Sequence, residues 1–336
     1  MLRVALLLLG LLTLIGLVWH VGPGRLVETI TALGPATLAI ILLPSLVMYL
    51  VEAYGWRVTL VNHARSLSFG RLLAIRTAGE VVNMTTPTAY MGGEPLKAFL
   101  LSRYQVPMVD GLASVVIAKT IMSLAEVLFI LIGLGLGLWL LGGAGSATQT
   151  LAAAVIGVGL LLVGVLAFVF VQRRGLFTWG LSMLRTVGLC IGYLEAREEK
   201  LRSVDHTILT FYNEHRGAFA LSSLLYLLGW MAEAVEVYVI LACLGGPVSI
   251  PSSIAIGALS VFIKGGTFFI PGSLGAQEGG NLLLLKAFGY SDVTGLTFAL
   301  LRRVRELVWI GIGLVCLALL GGKSGVPAQE ASPPLS

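Results

Sequence analysis

The chain has 336 residues, of which 57% are hydrophobic and only 12% are charged, and its mean hydropathy is +0.94. About a quarter of the residues in a typical soluble domain are charged, so this composition excludes an ordinary soluble protein and predicts an integral membrane protein. The net charge of +5 would point to an acidic partner in a soluble protein. Here it is assigned to Lys and Arg in cytoplasmic loops, and no nucleic-acid partner is expected.

Six apolar segments are long enough to cross a bilayer as helices, which takes about 20 residues each. The N-terminal segment resembles a signal peptide, but its apolar run is long and no small-residue cleavage site follows, so an uncleaved helix is expected. The predicted spans are 2–20, 36–61, 108–140, 148–171, 217–244 and 292–320.

The distribution of Lys and Arg predicts the orientation of these spans. Region 62–107 carries five Lys or Arg residues and region 172–216 carries seven, whereas the connections 141–147 and 245–253 carry none. By the positive-inside rule the two basic regions are cytoplasmic. Both termini are then expected on the cytoplasmic side.

Two further segments, 69–104 and 252–289, are each interrupted by a break rich in Pro and Gly, after which the apolar stretch is too short to span. Lipid cannot satisfy the backbone groups that a break exposes, so such a break must be packed in protein or line a wet cavity. Both segments are therefore predicted to be re-entrant helical hairpins. The break residues are Pro87, Gly92, Gly93, Pro271, Gly272, Gly275, Gly279 and Gly280; the glycines are expected to permit tight turns and close packing rather than to bind a ligand.

The two hairpins align without a gap at an offset of 184 residues, with seven identities over the forty pairs from 86/270 to 125/309. Pro87 with Pro271 and Glu94 with Glu278 are the more informative matches, because Leu pairs with Leu by chance in so apolar a chain. A chance register is the alternative to duplication. Three predicted spans separate the hairpins, so a duplicated second copy would be inverted, as in many secondary transporters.

These elements predict an all-α integral membrane fold with about six transmembrane helices and two re-entrant hairpins. A single membrane domain, 1–322, would contain inverted halves at roughly 36–140 and 217–320. Segment 177–203 has moderate hydropathy and a charged end, which predicts a helix on the cytoplasmic surface. Residues 323–336 are expected to form a flexible tail.

Ionisable residues within spans are costly, and they usually face the protein interior and mark a substrate or ion path. Both cations and carboxylates gather near the two breaks, which suits a zwitterionic or anionic head group, and Arg favours bidentate phosphate contact. The alternative for any single pair is that it only holds helices together. The candidate translocation residues are Glu94, Lys97, Lys119, Glu126, Glu233, Glu236, Lys264, Glu278, Arg302, Arg303, Arg305 and Glu306; Glu80, Glu52 and Arg57 are further charges in these segments.

Within this set, Glu94 and Glu278 could cap helix ends, orient the neighbouring cations or titrate during transport, and capping or positioning is preferred. The four His residues and the three Cys residues have no metal-ligand or redox spacing. No metal and no cofactor are predicted.

The motifs "NMTTPTAYMGGEPLKAFLL", "IPGSLGAQEGGNLLLLKAFG" and "LLRRVREL" resemble the lysylphosphatidylglycerol synthase transmembrane-region family of flippase-like proteins over about residues 2–320. "PGSLGAQEGG" with "RRVREL" is most similar to hopanoid-biosynthesis-associated membrane proteins. Residues that match the family pattern are Pro87, Gly92, Gly93, Glu94, Pro271, Gly275, Glu278 and Arg303.

The resemblance implies a bacterial inner-membrane protein that moves a lipid between leaflets or hands it onward, with lipid-biosynthesis or export proteins as partners. Two-domain members add a soluble aminoacyl transferase, which is not expected after "GGKSGVPAQEASPPLS", so lysine transfer is not predicted. A lipid translocase is the leading hypothesis, and enzyme activity is not expected. The alternatives are a lipid-modifying membrane enzyme with Glu94 and Lys97 as acid and base, and a small-solute transporter. Hopanoid, phospholipid and polyprenyl phosphate all remain open as cargo.

Overall fold

A computed structural model describes residues 22–86, 91–141, 147–186, 198–267 and 275–320, together with Ser273 and five single positions before residue 22. The described residues are helical and contain no β-strand, and the prediction of an all-α membrane protein is confirmed. The helices are α1 (Pro23–Thr59), α2 (Phe69–Thr85), α3 (Gly93–Ser102), α4 (Met108–Leu141), α5 (Ala147–Arg173), α6 (Leu176–Thr186), α7 (Glu198–Glu214), α8 (Arg216–Cys243), α9 (Ile250–Gly266), α10 (Ala276–Ala287) and α11 (Asp292–Leu320).

Four of the helices are long and apolar enough to cross a membrane: Thr31–Thr59, Met108–Leu141, Val155–Arg173 and Arg216–Cys243. They correspond to four of the six predicted spans. The predicted span 2–20 lies mostly outside the described residues. The sixth, α11, has a suitable length of 29 residues, but charged residues in its middle lower its apolar character.

The start of α1 is set by proline and glycine. Pro23 lies in the first turn, where its missing N–H costs nothing. Gly34 has a φ of +72°, outside the helical region, and it precedes Pro35. The residue before a proline is disfavoured in the helical conformation, so the helix kinks here before it continues to Thr59.

Each predicted hairpin contains two helices, α2 with α3 and α9 with α10. The two members of each pair pack against each other. In the first hairpin the close approach depends on glycine, because a Cβ at Gly93 would lie 2.0 Å from the carbonyl oxygen of Gly79. The breaks themselves, with Pro87, Pro271 and Gly272, lie outside the described residues, and the re-entrant placement stays a prediction.

The helix bounds repeat at the offset of 184 residues. Helices α1 and α8 end at Thr59 and Cys243, and α4 and α11 begin at Met108 and Asp292. The packing follows the same correspondence: α4 packs on α9, α11 packs on α2, and α1 packs on α8. The inverted orientation of the second half in the bilayer, like the division of the chain into halves, stays a prediction.

The predicted surface segment 177–203 coincides with α6 and the beginning of α7, and residues 187–197 between them lie outside the described part. Helix α7 continues to Glu214 and buries Ile208 and Phe211 against the bundle. The Asp205 carboxylate of α7 accepts hydrogen bonds from the backbone N–H groups of Phe177 and Thr178, at 3.0 and 2.9 Å. These bonds satisfy N–H groups at the start of α6 and tie it to α7.

Candidate functional site

A polar cavity of about 200 Å³ lies inside the bundle, where six helices meet. Both hairpins contribute to its wall through their first helices, α2 and α9, and the rest comes from α1, α4, α8 and α11. The lining residues are Met48, Tyr49, Glu52, Arg76, Glu80, Met84, Lys119, Met122, Glu126, Trp230, Glu233, Val261, Lys264, Gly265, Arg302, Arg305, Glu306 and Trp309. We call this space the central cavity.

On the side of the first hairpin, an ion-pair network joins α2, α3 and α4. The Lys97 ammonium lies 2.7 Å from the Glu80 carboxylate and 3.3 Å from that of Glu94. Lys119 of α4 lies 3.9 Å from the same Glu94 oxygen. Asn83 donates to Glu94 at 3.2 Å and accepts the Gly93 N–H at 2.7 Å. Asn83, rather than Glu94, therefore satisfies the backbone where α3 begins.

Arg76 extends this network to α1, because its guanidinium group forms an ion pair with buried Glu52. Arg76 and Lys97 are both buried, yet both belong to the five Lys or Arg residues of 62–107 from which the orientation is predicted. The other three are Arg65, Arg71 and Arg103. Arg57 is not in the network: its Nε donates to the Ala64 carbonyl oxygen at 3.0 Å, where α1 ends.

On the side of the second hairpin, Arg303 of α11 binds two carboxylates. Its Nε and one terminal nitrogen lie 2.9 and 2.6 Å from Glu278 Oε1, and its other terminal nitrogen lies 2.6 Å from Glu306. Lys264 reaches Glu306 at 2.6 Å. Glu278 also accepts the Gly275 N–H at 2.9 Å, so it caps α10 as the sequence predicts. Glu306 pairs with Arg303 and Lys264 and not with Arg302.

A third group of charges joins α8 to α11. Arg302 forms an ion pair with Glu233, and Arg305 lies 2.8 Å from Glu233 and 2.6 Å from Glu236. All four side chains are buried. Taking charges out of water is expensive unless they are paired and hydrogen-bonded, so each carboxylate here is matched to an arginine.

The offset of 184 residues also relates charged positions outside the aligned segments 86–125 and 270–309. Glu52 corresponds to Glu236, and each pairs with an arginine. Glu80 corresponds to Lys264, which reverses the charge at that position. Glu80 binds a lysine of its own hairpin, whereas Lys264 binds a carboxylate of α11. The two halves therefore meet at the central cavity with related positions but different charges.

Aromatic and thioether side chains complete the wall of the central cavity. The rings of Tyr49 and Trp309 are stacked, with centroids 3.6 Å apart and an interplanar angle of 4°. The Arg76 guanidinium lies 4.7 Å from the Tyr49 ring centroid, within reach of a cation–π contact. Trp230 donates its ring N–H to the Met122 carbonyl at 3.3 Å, which holds α8 against α4.

The structure brings most of the predicted translocation residues to this cavity. Lys119, Glu126, Glu233, Lys264, Arg302, Arg305 and Glu306 line it directly. Glu94, Lys97 and Lys119 line a small adjacent space of about 20 Å³, which also shares Arg76, Glu80 and Met122 with the central cavity. Glu236, Glu278 and Arg303 line neither space, but each forms an ion pair with a residue of the network.

The predicted break glycines have different surroundings. A Cβ at Gly280 would lie 2.6 Å from Ile263, and Gly275 has a φ of +76°, so packing and a turn explain these two, as they do Gly93. Nothing lies within 4 Å of a Cβ built at Gly279. Gly92 has ordinary helical angles and precedes α3.

Sequence reasoning missed Arg76, Tyr49, Trp230 and Trp309 as wall residues and left Glu52 and Glu80 outside the site. The i, i+4 spacing of Arg76 and Glu80 puts them on one helical face with Asn83, a signal that the sequence contains. Each aromatic residue lies three positions from a glutamate, Tyr49 from Glu52, Trp230 from Glu233 and Trp309 from Glu306, but this spacing is equally typical of apolar packing.

A separate cavity of about 260 Å³ lies where α1, α4 and α7 end or begin. It brings His206 and His215 near His63, whose Nε2 lies 3.1 Å from Asp110. The sequence spacing of these histidines gave no indication of this proximity. Among the described residues, no group of three or more His, Cys, Asp or Glu side chains is arranged to hold a metal ion.

This chain, with its charged cavity in an apolar helix bundle, is similar to known membrane proteins along nearly its whole length. The family described as "Lysylphosphatidylglycerol synthase TM region" matches residues 1–314. A "UPF0104 membrane protein" from Methanothermobacter thermautotrophicus is 22% identical over 316 residues, which cover 90% of each chain. No solved structure matches the chain. The match spans both hairpins and the arginine-rich helix α11, and the chain belongs to the lysylphosphatidylglycerol synthase transmembrane-region family.

Proposed function

We propose that this protein moves a lipid across the cytoplasmic membrane by holding the head group in the central cavity while the tails stay in the bilayer. The observation that carries the proposal is the cavity itself, which lies between the two related hairpins and is lined by both cations and carboxylates. Intramembrane charge around a cavity is typical of a substrate path. Related halves that meet at one site suit alternating access.

The size of the cavity favours a head group over a whole lipid. Its volume of about 200 Å³ is below the roughly 300–1,000 Å³ of typical small-molecule pockets. The outer surface of the helices is apolar, with exposed side chains such as Leu128, Val163 and Leu224, and acyl chains can remain against such a surface. A mobile polar head and a lipid-facing tail are what a translocase has to accommodate.

Unused hydrogen-bond donors in the wall favour a head group with oxygen acceptors. One terminal nitrogen of Arg76, and Nε and one terminal nitrogen of Arg302, have no hydrogen-bond partner among the described residues. Both residues line the cavity. Buried donors without partners are costly, so a phosphate or hydroxyl group bound nearby would compensate them. Phospholipid and polyprenyl phosphate supply such oxygens more fully than a hopanoid, which stays a candidate cargo.

The proposal assigns transport rather than covalent chemistry to the site. Its tests are lipid transfer in reconstituted vesicles and the mass of the lipid before and after incubation. A fluorescent phospholipid in the inner leaflet should become accessible to an external quencher, with no change of mass. A change of mass would instead support a lipid-modifying enzyme, and transfer of a soluble solute that lipid does not compete with would support a solute transporter.

Lys119→Gln is the informative variant, because Lys119 lines the cavity and its one ion pair with a described residue, Glu94, is long at 3.9 Å. Removing a charge-assisted contact to the head group should slow lipid transfer about tenfold while the protein still folds. Lys286→Gln is the matched control, since Lys286 is exposed and pairs with Asp292 away from the cavity. Equal transfer by both variants and the wild type would contradict a head-group role for the cavity. Native mass spectrometry of co-purified lipid would identify the cargo.

The same proposal places both termini and the basic loops on the cytoplasmic side. After Arg76 and Lys97 are assigned to the interior, three cations remain at the ends of the first hairpin: Arg65, Arg71 and Arg103. The positive-inside rule therefore still favours the same orientation. Proteins of lipid biosynthesis or export are the proposed partners.

A further inference from the structure

Glu126 differs from the other carboxylates in and around the central cavity, because it has no ion pair with a described residue. We call the charged residues of the cavity wall and their ion-pair partners the charged cluster, and every other member of it takes part in an ion pair. Glu126 lines the cavity, yet it forms no hydrogen bond or ion pair with any residue that the structure describes. The paired carboxylates are Glu52, Glu80, Glu94, Glu233, Glu236, Glu278 and Glu306, and their partners are Arg76, Lys97, Lys119, Lys264, Arg302, Arg303 and Arg305.

The seven paired carboxylates and seven cations balance, so Glu126 alone decides the net charge of the cluster. With Glu126 ionised, the cluster carries one negative charge more than its cations neutralise. An unpaired charge in the membrane interior is expensive. Glu126 is therefore neutral in some state of the protein, or it holds a cation that comes from outside the chain.

The groups that face Glu126 across the cavity leave it no free partner. The two lysines that line the cavity, Lys119 on its own helix and Lys264 of α9, are already paired with Glu94 and Glu306. Trp230 and Met122 contribute apolar wall beside it. The charged and titratable residues around the cavity are Tyr49 and Glu52 from α1, Arg76 and Glu80 from α2, Lys119 from α4, Glu233 from α8, Lys264 from α9, and Arg302, Arg305 and Glu306 from α11.

We infer that Glu126 is the binding site of a coupling proton. A proton from one side of the membrane binds the Glu126 carboxylate, and the same proton leaves to the other side after the cavity has changed its access. Protonation makes the cluster neutral, and deprotonation adds the unpaired negative charge. The inference rests on the proposed function for its transport step, whereas the proton site itself can be measured without transport.

Two features of the wall connect this site to a conformational change. Lys119 has the longest ion pair in the cluster, 3.9 Å to Glu94, and its side chain is 24% exposed. Lys264 is comparably accessible, with 26% of its side chain exposed. An ionised Glu126 would attract both lysines away from Glu94 and Glu306. Since Lys264 holds the second hairpin to α11 and Lys119 holds α4 to the first hairpin, the state of Glu126 would affect both hairpins.

The first experiment tests the proton site directly on the purified protein in lipid nanodiscs. Infrared difference spectra between mildly acidic and mildly alkaline buffer, a range in which exposed carboxyl groups stay ionised, should contain the carbonyl band of a protonated carboxyl group. That band should be absent in Glu126→Gln, which keeps the shape of the side chain, and should return at a shifted position in Glu126→Asp. Glu198→Gln, outside the predicted spans and away from the cavity, is the control and should keep the band. A spectrum of the wild type without the band, or with a band that Glu126→Gln leaves unchanged, would overturn the inference.

The second experiment tests coupling in vesicles that contain the protein and a fluorescent lipid. The measured quantity is the ratio of lipid-transfer rates with and without an imposed pH gradient. The ratio should exceed one for the wild type and Glu198→Gln, and fall to one for Glu126→Gln. A sodium gradient that drives transfer in place of the pH gradient would overturn the assignment to protons. Absence of lipid transfer in every condition, with the infrared band intact, would contradict the proposed function and the coupling but leave the proton site standing.

Discussion

Arg303 holds Glu278 through two of its guanidinium nitrogens, at 2.9 and 2.6 Å. The residues at the corresponding positions of the first half are Lys119 and Glu94, and their charged atoms are 3.9 Å apart. The ion pair at these two positions is thus short in the second half and long in the first. The proposed alternating access would depend on such a difference between related halves.

This difference predicts unequal costs for two matched substitutions. Glu278→Gln removes the carboxylate that Arg303 binds through two nitrogens, while that arginine, whose side chain is 2% exposed, keeps its ion pair with Glu306. Breaking a buried ion pair costs about 3–5 kcal/mol, and the partial exposure of Glu278 and the remaining pair place the expected loss near 2 kcal/mol. Glu94→Gln should lower the free energy of unfolding by less, because Lys97 keeps its ion pair with Glu80 and the ion pair of Lys119 with Glu94 is long. Thermal unfolding in detergent measures both.

The double variant Glu278→Gln, Arg303→Gln supplies the control for that comparison. Removing both charges should recover part of the loss, because no uncompensated cation remains. Equal melting temperatures for Glu94→Gln and Glu278→Gln would contradict the difference between the two halves.

Close packing inside the first hairpin predicts a second pair of outcomes. A methyl group at Gly93 would lie 2.0 Å from the Gly79 carbonyl oxygen, whereas one at Gly279 would meet nothing within 4 Å. Overpacking of this kind typically costs about 1–3 kcal/mol. Gly93→Ala should therefore lower the melting temperature and Gly279→Ala should not. If both variants unfold like the wild type, α2 and α3 do not pack as closely as described.

Glu198 predicts a pH dependence outside the spans. Hydrogen bonds from Arg185 and Arg202 hold the pKa of its carboxyl below the usual value. A lowered folded-state pKa stabilises the fold above the unfolded-state pKa, and this stabilisation is lost as the pH falls through the folded-state value. Amide protection factors, which correct for the intrinsic slowing of exchange in acid, should therefore fall in α6 and the first turn of α7 as the pH is lowered. In Glu198→Gln the protection factors should lose that acid dependence, and a persistent dependence would assign it to another group.

Orientation across the membrane is predicted by the inverted arrangement and can be measured by labelling. The three cysteines are replaced, and a single exposed thiol is introduced either by Ser66→Cys, just before the first hairpin, or by Ser291→Cys, just after the second. An impermeant reagent should label position 291 in intact cells and position 66 only after permeabilisation. Labelling of both positions from outside would contradict the inverted repeat. Labelling of position 66 alone would reverse the orientation.

The two tryptophans of the wall illustrate how far sequence reasoning can reach. Trp230 and Trp309 each lie three positions from a glutamate of a predicted span, Glu233 and Glu306, so the sequence places both near charge. Trp309 stacks on Tyr49, a residue 260 positions away in the chain. Contacts between residues so distant depend on helix packing, which no local pattern encodes.

Amino-acid composition, apolar length and the unequal distribution of basic loops determined by themselves that this chain is an all-α membrane protein, because a bilayer accepts few other structures. The offset between the two Pro- and Gly-rich breaks likewise indicated that Glu94 and Glu278 are related. The sequence could not decide which charges are paired, because Glu306 has Arg302, Arg303 and Arg305 within one helical turn and packing selects among them. Only the tertiary structure, by assigning a cation to every carboxylate of the cluster except Glu126, distinguished this residue from the other seven.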